Sequence, residues 1–410
     1  MATIRPFRAE RPPNDKASLV SAVPYDVVNT AEARELAAGN PLSFLHVSRP
    51  DIDLPDEADL YSDAVYHKAE ENYAKLRATA PLTVEASPSL YVYRLRMGAH
   101  SQSGIAACCS IDEYDADIVR KHERTRKEKE DDRTRHMITI GAQTGPVLMT
   151  YRGRNQIDEI VAAVQTDEPL YDFTAPDGIG HAMWRIGEQD AARLVAEFRQ
   201  VPLLYIADGH HRAASASRAR AELKAKNKSH SGDEEYNFFL TVLFPAEQLQ
   251  ILPYNRVVKD LNGMSPAEFI EGLSTKFDLN PASSGSPARK GEICMYLNGR
   301  WRSLTLPAGI TGTIDLIQSL DVSRLQERVL DQLLGIKDVR TDKRIEFVGG
   351  IRGVEVLEQM VNEERFAVAF SMYPVTVEEL MMIADANQIM PPKSTWFEPK
   401  LRDGLLSHLI

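Results

Sequence analysis

The sequence predicts a protein of the α+β class, a mixed α/β arrangement in which helices are added to a central sheet. Apolar stretches of strand length, among them SLYVYRLRM, GPVLMTY, VPLLYIAD, NFFLTVLF and GEICMYL, alternate with longer stretches rich in Ala, Glu, Lys and Arg, which favour helix. No uniform strand-helix-strand rhythm runs through the chain, so a regular doubly wound sheet is not expected. At 410 residues the chain exceeds one ordinary hydrophobic core, and two or three domains are expected.

In the first 50 residues, the Pro-punctuated pieces SAVPYDVV and PLSFLHVSRP read as extended and flank a short helix near TAEARELAAG that stops at Gly39. The acidic loop RPDIDLPDEAD leads into a helix over about 61–79, and SLYVYRLRM with GIAACCSI reads as a hairpin. Residues 115–139 are expected to be helical, GPVLMTY to be a short buried strand, and 188–200 to be a further helix. VPLLYIAD then runs straight into a helix over GHHRAASASRARAELKAK. The polar loops NKSHSGDEE and NPASSGSPARKG bracket NFFLTVLF and another helix, and mark candidate boundaries. The remainder mixes strands such as GEICMYL with helices such as DVSRLQERVLDQLLG, without internal repeats.

Composition narrows the function classes. Hydrophobic residues at 43% and charged residues at 26% describe a globular chain rather than a disordered one. Cys108, Cys109 and Cys294 make neither a disulfide framework nor a C-x-x-C pair, which fits a reducing compartment. The N-terminal MATIRPFRAERPPNDK lacks a signal-peptide core, and no apolar run approaches the roughly 18 residues of a membrane span. A cytoplasmic protein with no membrane partner is expected. Net charge is −11, and the densest basic segment, 120–135, is nearly cancelled by Glu123, Glu128, Glu130, Asp131 and Asp132. Nucleic acid is therefore not an expected partner.

The strongest chemical signature is LLYIADGHHRAASASRA. A strand ends on Asp208, Gly209 permits a tight turn, and a helix begins near His210, so free N–H groups and the positive end of a helix dipole face one place. His210, His211 and Arg212 add donors, and Arg212 has the fork geometry for phosphate. A simple helix cap at Asp208 is the plain alternative, but a cap does not require two histidines and an arginine beside it. Metal ligation by Asp208, His210 and His211 is a rival chemistry, although Gly209 interrupts a contiguous Asp-His-His run.

Other segments are weaker signals. His122 and Glu123 open a charged stretch whose Glu123, Lys127 and Asp131 are spaced four apart, as on a solvated helix; HERTR is not H-E-x-x-H, since position 126 is Arg. Asp26 in VPYDVV, and His46 and Arg49 in NPLSFLHVSRPD, are candidates for a second pocket wall. Lys393, Ser394 and Thr395 lie between a Pro pair and Trp396 and are candidate anion ligands, without the glycines of a P-loop. No G-x-G-x-x-G follows a strand.

Over nearly its whole length the chain resembles the bacterial and archaeal family called domain of unknown function 1015. The matching blocks are VPYDVV, NPLSFLHVSRPD, KHERTRKEKEDDRTRH, TGPVLMTY, ADGHHRAASA and MPPKSTWFEPKLRDGLL, in that order. The strand, DGHHR turn and helix, with a His-Glu segment upstream, are also similar to free-serine kinases of the ParB/sulfiredoxin fold. That second resemblance implies nucleotide phosphates held by Gly209, His210, His211 and Arg212. It also implies Asp208 near a magnesium ion or the acceptor, and Glu123 as catalytic base, with Asp208 and His210 beside it. It divides the chain into an N-terminal α/β region (1–95), a central ParB/sulfiredoxin-like module (96–260) with an insertion near 152–200, and a C-terminal α/β region (261–410). His210 stands where a sulfiredoxin has its cysteine, so reductase chemistry is not expected. The expected activity is nucleotide-dependent phosphotransfer to a small hydroxylated metabolite, with free L-serine as the named acceptor, ATP or ADP (or CTP) as donor, and Mg2+. A nucleotide-responsive regulator and a metal-dependent phosphoesterase are the alternatives, and a homodimer is the base-rate assembly.

Overall fold

The computed structural model describes residues 2–306 and 315–410, a mixed α/β chain with several sheets. It divides into two compact units: the first holds Met1–Leu249 together with Pro399–Ile410, the second Gln250–Glu398. The expected segments 1–95 and most of 96–260 thus share one unit, which the last twelve residues rejoin.

The first unit is built on a nine-stranded sheet. Its strands in chain order are β1 (Ile4–Arg5), β2 (Tyr91–Met97), β3 (His100–Ser110), β4 (Val119–Arg120), β5 (Val147–Tyr151), β6 (Tyr171–Thr174), β7 (Gly180–Arg185), β8 (Leu204–Asp208) and β9 (Phe238–Pro245). Their spatial order is β4-β8-β5-β9-β3-β2-β7-β6, with β1 beside β3. β5 runs parallel to β9 and β4 parallel to β8; the other pairs are antiparallel. The β2–β3 hairpin is the one read from alternation. The interval near 152–200 adds β6 and β7 to the far side of β2, extending the same sheet.

Three long helices matter for the site: α1 (Asp63–Thr79), α2 (Lys127–Ile140) and α3 (His210–Lys226). Buried Ala213, Ala216 and Ala219 of α3 pack in the sheet's main core beside Val119, Met149 and Ile206. Small residues there let the helix approach closely. Ser215 Oγ donates to the Glu130 carbonyl at 3.2 Å, and Arg218 pairs with Glu130 and Asp131, which ties α3 to α2.

Two local expectations are corrected. Residues 115–139 are not one helix: a short helix Ile111–Asp115 gives way to β4 and to an irregular loop before α2 begins. PLSFLHVSRP is not extended: Leu45–Ser48 is helical, because Phe44, Leu45 and Val47 must all reach the cluster under α1.

A small four-stranded sheet fastens the C-terminus. Ser407–Leu409 pairs with Ala9–Arg11 on one side and Ala142–Gln143 on the other. Residues 401–408 are all buried. The second unit has a six-stranded antiparallel sheet, in the order 278–281, 300–305, 292–297, 368–372, 254–258 and 345–349, with helices such as Pro266–Ser274 and Val377–Asp385. The expected helix DVSRLQERVLDQLLG winds as α over Asp321–Leu325 and as π over Gln326–Asp331. Among the described residues no helix is long and apolar enough to cross a membrane.

Candidate active site

The turn after β8 has the expected form and a detail that alternation could not reveal. The pairing register of β8 with β5 slips between Ile206 and Asp208, a bulge of the kind that re-aims a side chain at a strand end. Gly209 follows at φ +99°, in the left-handed region, and a Cβ there would lie 2.9 Å from Arg212 Nε. Both facts require glycine. No side chain caps α3, so its first N–H groups remain available at the positive end of the helix.

The loop 121–126 wraps over this helix end. The His122 N–H donates to His210 Nε2 at 3.4 Å, and the Arg126 N–H donates to His211 Nε2 at 3.1 Å. Those donations leave the remaining proton of each neutral ring on Nδ1. They also explain why the charged stretch is not helical here: its backbone donors serve imidazoles more than 80 residues away. His210 Nδ1 stands 3.9 Å from Glu123 Oε2, whose side chain is 37% exposed. His122 is buried edge-on against His210, with ring centroids 4.4 Å apart. The Ile206 backbone favours the protonated ring of His122, yet neither ring nitrogen makes a hydrogen bond of normal geometry.

Electrostatics divides these groups. Burial pushes His122 down to about 4 and His210 well below the ordinary histidine range, where His122, His211 and Arg212 add to burial and Asp208 opposes it. His211 is lowered too, first by burial. All three shifts favour the neutral ring. Burial alone would raise the Asp208 carboxyl, but Lys400 and Arg212 reverse this and hold it well below the usual range. Lys400 Nζ donates to Asp208 Oδ2 at 3.2 Å, and Arg212 lies 3.6 Å from the same oxygen.

Arg212 is buried and folded under the turn, where its guanidinium donates to the Pro146 carbonyl. Burial would lower its pKa, but Asp26, Asp208 and Asp403 keep it charged. Asp26 is exposed and acts electrostatically on Tyr25, His211, Arg212 and Asp403 together. Arg49 holds the segment around Asp26 in place, donating to the carbonyls of Tyr25 and Val28. His46 faces elsewhere, with Nδ1 2.8 Å from Asp53. Lys393, Ser394 and Thr395 belong to the second unit, in a turn where Lys393 has φ +59° and Ser394 Oγ donates to the Pro391 carbonyl.

Sequence reasoning missed Lys400 and Asp403, although the block containing them was singled out for its Lys-Ser-Thr. It also missed His122 as a buried ring and Arg133, which stacks over Tyr25 at 4.2 Å. Their signal was their place inside the family-like blocks, not any spacing.

A protein-held metal does not fit these side chains. Among the described residues no three His, Cys, Asp or Glu groups converge on one point. Asp208 Oδ2 already faces two cations, and His210 and His211 use Nε2 to accept backbone N–H groups. Magnesium would have to arrive with phosphates, its usual ligands.

The family model described as a protein of unknown function (DUF1015) matches residues 4–323. No curated protein matches the chain. Solved structures similar to it include a conserved hypothetical protein from Pyrococcus furiosus, 15% identical over 75% of this chain and 95% of that one, with a TM-score of 0.36. A free serine kinase in complex with AMP is 13% identical over 74% and 91%, with a TM-score of 0.37. SbnI from Staphylococcus aureus with a C-terminal truncation is 12% identical over 74% and 87%, with a TM-score of 0.39. All three likenesses are distant.

Proposed function

We propose that this chain, which belongs to the DUF1015 family, is a nucleotide-dependent phosphotransferase acting on a small hydroxylated metabolite, with free L-serine as the named acceptor. The observation that carries this reading is the uncapped start of α3, with a partly exposed carboxylate, Glu123, 3.9 Å from His210 Nδ1 beside it. Phosphoryl transfer asks a protein mainly for positioning and charge neutralisation. On this reading 96–260 acts as a ParB/sulfiredoxin-like phosphate-binding module with an insertion near 152–200.

Phosphate oxygens of ATP, ADP or CTP accept from the α3 N–H groups and from His211 Nδ1–H. Lys400 supplies positive charge beside Asp208. The acceptor hydroxyl attacks the terminal phosphorus, the bond to the nucleotide's bridging oxygen breaks, and the hydroxyl proton passes to Glu123. His210 Nδ1–H faces that carboxylate from 3.9 Å. Arg212 serves from beneath, fixing the turn, rather than as a fork on the phosphate.

The test is consumption of ATP, ADP and CTP with magnesium, with and without L-serine, while products are followed by mass spectrometry. Glu123→Gln is expected to lower turnover about 10²–10⁴-fold with nucleotide binding retained. Nucleotide binding with no acceptor-dependent product would replace the kinase by a nucleotide-responsive regulator.

A further inference from the structure

Behind the turn lies a small cavity of about 40 Å³ within the first unit, lined among others by Tyr25, Ser48, Arg133, Gly145, Arg212 and Asp403. A water needs roughly 10–15 Å³ on this measure, so the space takes a group of a few heavy atoms and excludes a nucleotide. Three of its lining side chains are more than nine-tenths buried and keep an unpartnered polar atom: Arg212 Nε, Ser48 Oγ and Asp403 Oδ1. Orphans of this kind are costly, and a cluster of three around one cavity points to a missing ligand.

The orphans differ in what they want. Arg212 Nε can only donate, Ser48 Oγ can donate, and the Asp403 carboxylate oxygen seeks a donor. Gly145 brings two of them together: a Cβ on it would sit 3.0 Å from Asp403 Oδ1 and 3.3 Å from Arg212 Cδ. The Asp403 backbone is pinned there by paired hydrogen bonds with Ala22, three residues before Tyr25. The complement is a ligand carrying an anionic acceptor and a donor on neighbouring atoms.

We propose that this cavity receives the head of a small 2-amino or 2-hydroxy carboxylate, its carboxylate on Arg212 and Ser48 and its amino or hydroxyl group on Asp403. This deepens the phosphotransfer reading and rests on it for the role of acceptor: the head is read in the cavity, and the rest of the molecule extends toward the turn. Because Arg212 is shared between the cavity and the turn, it would couple the two.

The test is calorimetric titration of the full chain with L-serine, D-glycerate and ethanolamine, and separately with ADP and magnesium. Serine and glycerate are expected to bind at least tenfold more tightly than ethanolamine, which keeps the amine and hydroxyl but lacks the carboxylate. Gly145→Ala should weaken serine binding tenfold or more and ADP binding by much less. Ser48→Ala, which removes only the orphan hydroxyl, serves the same purpose if the glycine variant does not fold. Ethanolamine binding as well as serine, or no carboxylate binding while ADP binds, would overturn the proposal and leave a cavity for water. Serine binding without ADP binding would uphold the cavity and sink phosphotransfer instead.

Discussion

Arg402 and Asp403 are neighbours on one buried segment, 4% and 2% exposed, and the fold treats them oppositely. Arg402 Nε donates to His181 Nε2 at 3.0 Å, and its guanidinium also pairs with Asp177. Since Nε2 must accept, His181 carries its proton on Nδ1 and donates to the Tyr93 hydroxyl at 2.9 Å. Burial and Arg402 push that histidine down to about 2, so the network is closed and permanently neutral at the ring. One residue further on, Asp403 Oδ1 has no partner, and neither has Nε of Arg212, which lines the same cavity. The Arg402 network satisfies its buried polar atoms, whereas the cavity around Asp403 leaves some of its own open.

The largest expected effect lies on the closed side. Arg402→Leu strips His181 and Asp177 of a shared partner and should cost about 2–4 kcal/mol, read as a lower urea midpoint. A loss under about 0.5 kcal/mol would show that the closed network does not stabilise the fold, and the contrast with Asp403 would collapse.

On the open side the effect has the opposite sign and grows with pH. Burial, aided by Asp26, raises the Asp403 carboxyl to about 7 despite Arg212 and Arg133. An unfolded aspartate titrates near 3.9, so between roughly pH 4 and 7 the folded chain holds the extra proton. The stability this contributes is full below about pH 4 and is lost as pH rises through 7. Asp403→Asn removes that slope. Relative to wild type, the variant should gain stability from pH 4.5 to 8, by up to about 4 kcal/mol. Parallel pH profiles for the two proteins would mean that Asp403 is paired in solution after all.

What could be read from sequence follows the same division. Strands β2, β3, β5, β8 and β9 were legible because apolar stretches and side-chain alternation are local properties. The Asp208-Gly209-His210 turn was legible because strand, glycine and helix are consecutive. The loop 121–126 was not, because the groups that take its N–H donors, His210 and His211, are distant in sequence. Nor was the return of residues 399–410, whose Lys400 and Asp403 complete the charges around Arg212. Burial of Arg212 is likewise a tertiary fact. From sequence it was a phosphate fork; in the fold it is a strut under Gly209.

That strut gives an intermediate prediction. Gly209→Ala places a methyl group 2.9 Å from Arg212 Nε at a backbone angle of +99°, so either the turn or the guanidinium must move. A cost of about 1–3 kcal/mol is expected, together with weaker nucleotide binding, because the same turn aims the α3 N–H groups. Unchanged stability would separate the glycine from the site and return the turn to an ordinary helix cap.

The smallest effect on stability should come from Glu123. Its side chain is more than a third exposed, where solvent screening leaves polar contacts worth little. Glu123→Gln should therefore shift the unfolding midpoint by under about 0.5 kcal/mol, while acceptor-dependent turnover falls steeply. Such a split is what a proton acceptor predicts and a structural carboxylate does not. Asp403→Asn sharpens the comparison from the other side, since it should change stability with pH and weaken acceptor binding while leaving the proton acceptor in place. If Glu123→Gln instead destabilised the chain as much as Arg402→Leu, Glu123 would belong with the closed network, and the base would have to be sought elsewhere around the start of α3.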